Sequence, residues 1–345
     1  MSAALRTLVA AAAVVALGST AACGQGAAAS GPVSGNWDDV LAAATEEGSV
    51  YLYSSQHPDN LASVKAAFEA AYPGITLEFT RGSDVELNPR VDAESKSGRG
   101  VGDVHMTTDP AWIRAASDSG ALSVPVSGPS FDDPDYGRDS SILNDTFFLT
   151  SAAVIGMGWN TDALPEGLSD VDDLLAPELR GRIGVVNPSG FAAVVDQYRF
   201  FDENWSPGYT DALAENRPRI YPGVLAVAQG LASGEIVATP MVQSLVREQA
   251  AGAPVGWAAP NPAWGAPYYS HVLATAPHPN AAQVLADFLV SPEGQLALSN
   301  GYASVLPDTP GAVGRAQDVE LTDGDELDSS AIAEFQADWE RRFVR

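Results

Sequence analysis

The chain has 345 residues, with 18 basic against 44 acidic side chains, a formal net charge of −26 and a hydrophobic fraction of 46%. A charge this negative repels nucleic-acid phosphates and anionic lipid headgroups, so neither is an expected partner. The length and apolar fraction support a large core, divided between two lobes. A single cysteine excludes a disulfide framework, and the body of the chain has no thiol nucleophile or thiolate metal site.

At the N-terminus, Arg6 precedes an apolar run from Leu8 to Leu17 and then Ser19-Thr20-Ala21-Ala22-Cys23-Gly24. One positive charge, a short apolar stretch and small residues before a cut describe a signal peptide over residues 1–22. The run is too short to span a bilayer as a helix. A cysteine directly after small residues resembles a bacterial lipobox, although Thr20 stands where a lipobox usually carries Leu or Val. That resemblance implies lipidation of Cys23 and anchoring at the outer face of the cell membrane through lipid alone. A periplasmic or secreted form is the alternative. Residues 23–36 follow as a Gly/Ala/Ser tether without charge from Gly24 to Asn36.

From Trp37 the pattern alternates between strand and helix. Ser49–Tyr53 is β-rich and runs into the polar turn Ser54-Ser55-Gln56-His57-Pro58. Leu61, Val64, Phe68 and Tyr72 then fall on one helical face, stopped by Pro73-Gly74. Ile75–Phe79 predicts a second strand, ending at Arg81-Gly82-Ser83 before a helix from Val85. Gly102–Met106 predicts a third, followed by Thr107-Thr108-Asp109-Pro110 and a helix with Trp112 and Ile113. Three such units in a row imply a mainly parallel sheet covered by helices. Ligands of such sheets bind beyond the carboxyl ends of the strands, so these three turns are the first candidates.

The second half begins with the apolar run Ala152–Trp159. A strand follows over Arg182–Val186, and Asn187-Pro188-Ser189-Gly190 opens a helix. Ala281, Val284, Leu285, Phe288 and Leu289 have the spacing of an amphipathic helix. Ser291-Pro292 starts the next helix, and a last one is expected from Ser330 to about Arg342.

Several strings together resemble the type II extracellular solute-binding proteins of ABC importers, most closely the ferric-ion-binding branch. They include Tyr51-Leu52-Tyr53-Ser54-Ser55-Gln56-His57, Gly102-Asp103-Val104 and Pro177-Glu178-Leu179-Arg180-Gly181. Further on come Asn187-Pro188-Ser189-Gly190, Gly234-Glu235-Ile236, His278-Pro279-Asn280-Ala281-Ala282 and Ser291-Pro292-Glu293-Gly294-Gln295. The resemblance implies an α/β fold of two lobes, with mainly parallel sheets, flanking helices and hinge strands, closing on a solute. Lobe 1 is expected over residues 37–150 with 266–306, and lobe 2 over 151–265 with 307–345. The chain is expected to cross between them near Phe148–Ile155 and to return near Ala266–Leu273. It also implies a monomer that serves an ABC permease, with no catalysis and no cofactor.

The resemblance further bears on the solute. His57 stands where the family's histidine ligand to iron stands. The positions of the family's tyrosine pair fall on Ser244-Leu245, and the carboxylate position falls near Thr108, with Asp109 one step away. His57 and Asp109 alone make a poor donor set for a trivalent cation. Tyr268-Tyr269 falls at the returning hinge, where packing is the expected role. Trp112, Trp264 and Tyr268 are assigned to core, with stacking on an organic solute as the alternative. The anion half of the site is better kept. Ser189-Gly190 offers donors at a helix start, and Ser54-Ser55-Gln56, Gly82-Ser83, Arg81, Gln243 and Ser244 are the other candidates. Ordinary capping is the competing reading of each turn. The favoured solute is small and anionic or zwitterionic, and iron(III) held by non-standard ligands is the alternative. A secreted hydrolase is the reading from another class, but no Gly-x-Ser-x-Gly or His-Glu-x-x-His motif supports it. Neither His278, in its His-Pro-Asn helix start, nor His105, at a strand end, has an evident partner.

Overall fold

The computed structural model describes residues 32–189, 192–319 and 329–344. The expected signal segment and the tether up to residue 31, with Cys23, lie outside the described residues, as does Gly190. Among the described residues no helix is long and apolar enough to cross a membrane.

Helix α1 (Trp37–Glu47) opens on a capping box, in which Asn36 accepts from the Asp39 amide and the Asp39 carboxylate accepts from the Asn36 amide. The three expected units follow as β1 (Ser49–Ser54), α2 (Pro58–Ala71), β2 (Thr76–Arg81), α3 (Asp84–Ser97), β3 (Val104–Thr107) and α4 (Pro110–Ser119). Strand β1 lies between β2 and β3 and is parallel to both, with Tyr53 opposite Thr80 on one side and His105 on the other. All three turns therefore emerge from one edge of the sheet.

Short β4 (Ser123–Val124), α5 (Arg138–Ser141) and β5 (Ile142–Leu143) lead to β6 (Phe147–Asn160). This strand of 14 residues is buried at all but one position. A continuous apolar run, rather than an alternating one, is what a strand covered on both faces requires. The next elements are β7 (Gly184–Val186), α6 (Ala192–Phe200), α7 (Tyr209–Glu215), β8 (Arg219–Tyr221) and α8 (Val224–Ala232). Then come β9 (Ala238–Gln243), α9 (Val246–Ala250), β10 (Val255–Ala258) and β11 (Gly265–Leu273). The chain finishes with α10 (Pro279–Val290), α11 (Pro292–Leu298), β12 (Ala303–Ser304) and α12 (Ser329–Phe343).

Strand β6 changes partners along its length. Residues 147–154 pair antiparallel with β11, whereas 155–160 pair antiparallel with β9 and β10. The apolar cores divide at the same bond. Val154 belongs to a core with Leu52, Val64, Phe68, Val104 and Phe288. Ile155 belongs to a second with Ile183, Val185, Tyr198, Phe201 and Met241. Gly156 and Gly158 stand where the register with β9 shifts, and a Cβ on Gly156 would lie 2.5 Å from the Ala258 carbonyl oxygen.

The C-terminal stretch is shared between the cores instead of joining the second alone. Ala303 pairs with Ala152 of β6, Ala316 is buried in the first core, and Gln317 Nε2 donates to the Val305 carbonyl at 2.9 Å. Of its described residues, those of α12 reach the second core, where Trp339 stacks on Phe343 with ring centroids 4.6 Å apart. Helix α10 is buried all round, because polar partners accommodate its polar positions. Gln283 accepts from the Ser127 amide, and the Asp287 carboxylate accepts from the amide and hydroxyl of Ser130.

Candidate functional site

The end of β1 carries the densest set of polar groups facing the second core. Ser54 is fully buried and spends its hydroxyl internally, donating to Met106 Sδ and accepting from the Gln56 amide. Gln56 is also fully buried; its Nε2 donates to Ser151 Oγ at 3.0 Å, and its Oε1 has no partner among the described residues. Ser55 Oγ and Asp84 Oδ1 are likewise buried without a partner of hydrogen-bonding geometry. Each such orphan costs about 1–3 kcal/mol, and Ser55 also stands beside the Tyr268 phenol. His57 caps α2, its Nδ1 accepting from the Asp59 amide at 3.2 Å, which leaves Nε2 for another contact. Burial, and then the Arg247 guanidinium, hold its pKa below the ordinary imidazole value, with Arg81 adding to the depression.

Arg247 comes from α9, on the second core, and crosses to the first. Its Nη2 donates to Asn60 Oδ1 and, at 3.1 Å, to the Asn300 carbonyl, while Nε lies 3.7 Å from Asp59 Oδ2. Tyr302 lies beside it and packs against Tyr268, each 6% exposed, with ring centroids 5.9 Å apart. Burial raises the pKa of both phenols, and at Tyr302 the charges of Arg247 and Arg81 oppose the rise. Arg81 itself is exposed, with no hydrogen bond or ion pair to any described residue. Gln243 ends β9 opposite Ile155 of the crossing strand. Ser244 Oγ lies 3.6 Å from where a Cβ on Gly301 would stand, so this turn abuts Gly301-Tyr302. The β1 end, Arg81, Gln243-Ser244, Arg247 and the Tyr268–Tyr302 pair thus converge.

Sequence reasoning missed Arg247 and Tyr302. The available signal was scarcity of charge: Arg247 is a basic residue in an acidic chain, three positions after a residue already chosen.

The other predicted turns spend their donors on themselves. Gly82 N donates to the Ser54 carbonyl, and the amide and hydroxyl of Ser83 both donate to Glu86 Oε2 at 2.9 and 3.0 Å. The amide and hydroxyl of Thr108 donate to Asp84 Oδ2. Asp109 caps α4 by accepting from the Trp112 amide at 3.1 Å, and its second oxygen accepts from Asn88 Nδ2 at 3.4 Å. Ser189 is exposed, with its amide donating to Asn187 Oδ1 at 2.8 Å; no described contact joins it to the β1 end. Among the described residues no three His, Cys, Asp or Glu side chains gather to hold a metal ion.

The histidines have partners that the sequence did not reveal. His278 Nδ1 lies 3.0 Å from Asp103 Oδ2, and its Nε2 lies 3.1 Å from Ser49 Oγ. His105 Nδ1 lies 3.1 Å from His271 Nε2, and His271 Nδ1 lies 2.8 Å from Ser123 Oγ. The expectation that His105 and His278 lack partners is corrected: cross-strand register and the start of α10 bring in residues more than a hundred positions away. Within Tyr268-Tyr269, a register shift against β6 separates the rings. Tyr268 meets Tyr302, while Tyr269 packs with Ile113 and Phe147.

Known proteins share this architecture. No curated protein sequence matches the chain. The iron-bound HitA of Pseudomonas aeruginosa has a TM-score of 0.63 at 19% identity, over 84% of this chain and 99% of that one. A Trichodesmium protein (IdiA, FutA) in complex with iron and citrate has a TM-score of 0.59 at 20% identity, over 86% and 99%. The periplasmic binding protein AfuA of Actinobacillus pleuropneumoniae, with fructose-6-phosphate bound, gives 0.58 at 18%, also over 86% and 99%. At these identities the likeness is one of fold, that of the two-lobed type II periplasmic-binding proteins. The family profile described as bacterial extracellular solute-binding protein matches residues 52–302, most of the folded chain, and the protein belongs to that family.

Proposed function

We propose that the protein is a receptor outside the cytoplasm that closes two lobes on a small anionic or zwitterionic solute and presents it to an ABC permease. The observation that supports this most directly is Arg247. In a chain of net charge −26, its guanidinium from the second lobe stands beside His57 and Tyr302 of the first. Arg81, without an ionic partner, is the second cation at the same place. Two guanidiniums can take a carboxylate, phosphate or phosphonate group in bidentate fashion, and Ser55, Gln56 and Asp84 retain unsatisfied atoms for the rest of the solute. The same charges oppose a bare trivalent cation. Two of the similar structures hold iron and one a sugar phosphate; for this chain the basic cleft favours an anion or an anionic chelate. Closure around such a solute follows from its preference for the state in which both lobes touch it. The monomeric receptor is tethered through lipid on Cys23.

Calorimetry with inorganic phosphate, methylphosphonate and citrate, guided by native mass spectrometry of whatever copurifies, tests this reading. A charged hydrogen-bond donor is worth roughly 1.5–3 kcal/mol, so Arg247→Ala is expected to weaken binding about 10- to 100-fold. Retention of a neutral or cationic solute with unchanged affinity in Arg247→Ala would reject the anionic reading.

A further inference from the structure

Ser49, His278 and Asp103 meet at the amino ends of β1 and β3, away from the strand ends that face the second lobe, and the receptor reading leaves them unused. Ser49 Oγ lies 3.1 Å from His278 Nε2, and His278 Nδ1 lies 3.0 Å from Asp103 Oδ2. Asp103 is fully buried, and the backbone amides of Tyr51 and His278 each donate to its carboxylate at 2.7 Å. A carboxylate facing Nδ1 draws the proton to that nitrogen, which leaves the Nε2 lone pair directed at the serine hydroxyl. The imidazole also stands at the N-terminus of α10. Asp103 then steadies the imidazolium that forms when a proton is taken up.

The group is reachable. The His278 side chain is 32% exposed, and a cavity of about 370 Å³ opens on Ser49 and His278, walled by Tyr51, Glu78, Gly100 and Val101. The Gly100 amide is bonded to no described residue, which leaves it as the donor available to an oxyanion. A Cβ at Gly100 would lie 2.1 Å from the Thr275 carbonyl oxygen, so only glycine brings the backbone to this wall.

We infer that Ser49 is a base-activated nucleophile and that this cavity is a second, hydrolytic site for small neutral acyl esters. Ser49 Oγ attacks the ester carbonyl carbon while its proton passes to His278 Nε2. The bond to the leaving oxygen breaks as that proton is delivered to it, releasing the alcohol. Water, deprotonated by the same nitrogen, then cleaves the ester on Ser49, releasing the carboxylic acid and restoring the hydroxyl. The cavity volume suits short acyl groups, and Glu78, ion-paired with Lys65 at 3.2 Å, is the acidic side chain in its wall.

The full chain treated with a fluorophosphonate probe, digested and mapped by mass spectrometry, tests the assignment. The expected result is an adduct on Ser49 that is absent in Ser49→Ala and forms at least tenfold more slowly in His278→Asn. Hydrolysis of p-nitrophenyl acetate is expected to fall in step. Because His278→Asn also touches the start of α10, its melting temperature is measured alongside, and adduct mapping on the unaltered chain locates the nucleophile without any variant. An unaltered chain that stays unlabelled at Ser49 overturns the proposal, as does a folded His278→Asn protein labelled at the original rate. Neither outcome bears on solute binding between the lobes.

Discussion

At His105 and His271 two buried imidazoles share one hydrogen bond, His271 stacked on Phe147 with centroids 4.2 Å apart. Burial lowers the His105 pKa to about 4 and pushes His271 well below the ordinary value, each imidazole remaining neutral. The unfolded chain therefore binds more protons than the folded one below an ordinary imidazole pKa of about 6.5. The stability the pair contributes is complete above that value and is lost as pH falls toward about 4. Asp287 works in the opposite direction. Burial raises its pKa to about 6, so its contribution is lost as pH rises through about 6. Urea denaturation at pH 7 and pH 5 separates the two. Each histidine is expected to contribute up to about 1.4 kcal/mol per pH unit, so His105→Gln should flatten the acid loss and Asp287→Asn should steepen it. An identical pH dependence in all three proteins would contradict the assignment. None of these pairings was legible in sequence, because His105 and His271 lie 166 residues apart and meet only through the antiparallel register of β3 and β11.

Among the elements, β6 joins the two cores and α12 adds to the second. Gly156 is placed where the strand changes partners, and an added methyl would press on the Ala258 carbonyl and the Trp257 ring. Gly156→Ala is expected to cost about 1–3 kcal/mol by overpacking, read as a lower melting temperature. Helix α12 inserts Trp339, 2% exposed, against Phe343 and Tyr198. Trp339→Ala is expected to cost about 3–5 kcal/mol through the cavity it leaves; a change below 1 kcal/mol, measured in urea, would mean that the helix is not integral to the second core. The helical spacing of Ala281, Val284, Leu285, Phe288 and Leu289 made α10 readable, and the apolar run Ala152–Trp159 marked β6. That α10 is buried on its polar side as well could not be read, since Gln283 and Asp287 look solvent-facing until Ser127 and Ser130 are brought over them.

For the whole molecule, the two predictions concern cargo and place. Added ferric citrate is expected to give no phenolate charge-transfer band, because burial raises the pKa of Tyr268 and Tyr302 and disfavours their phenolates. A visible band lost in Tyr268→Phe or Tyr302→Phe would restore iron as the cargo. Cys23→Ser is expected to release the protein from the membrane fraction, and retention at the original level would exclude anchoring through this residue. Sequence alone determined the α/β class and the three βα units with the turns that end their strands, because periodicity and turn residues act over a few positions. It also placed Ser54, Ser55, Gln56 and His57 at the strand edge that Arg247 approaches. Only the tertiary structure decided that Ser83 and Asp109 cap their own helices, that Thr108 donates to Asp84, that Arg247 stands beside His57 and Tyr302, and that His278 lies within hydrogen-bond distance of Ser49 and Asp103. Those contacts depend on register and on packing between segments far apart in the chain, and no local pattern encodes which distant partner a polar side chain will meet.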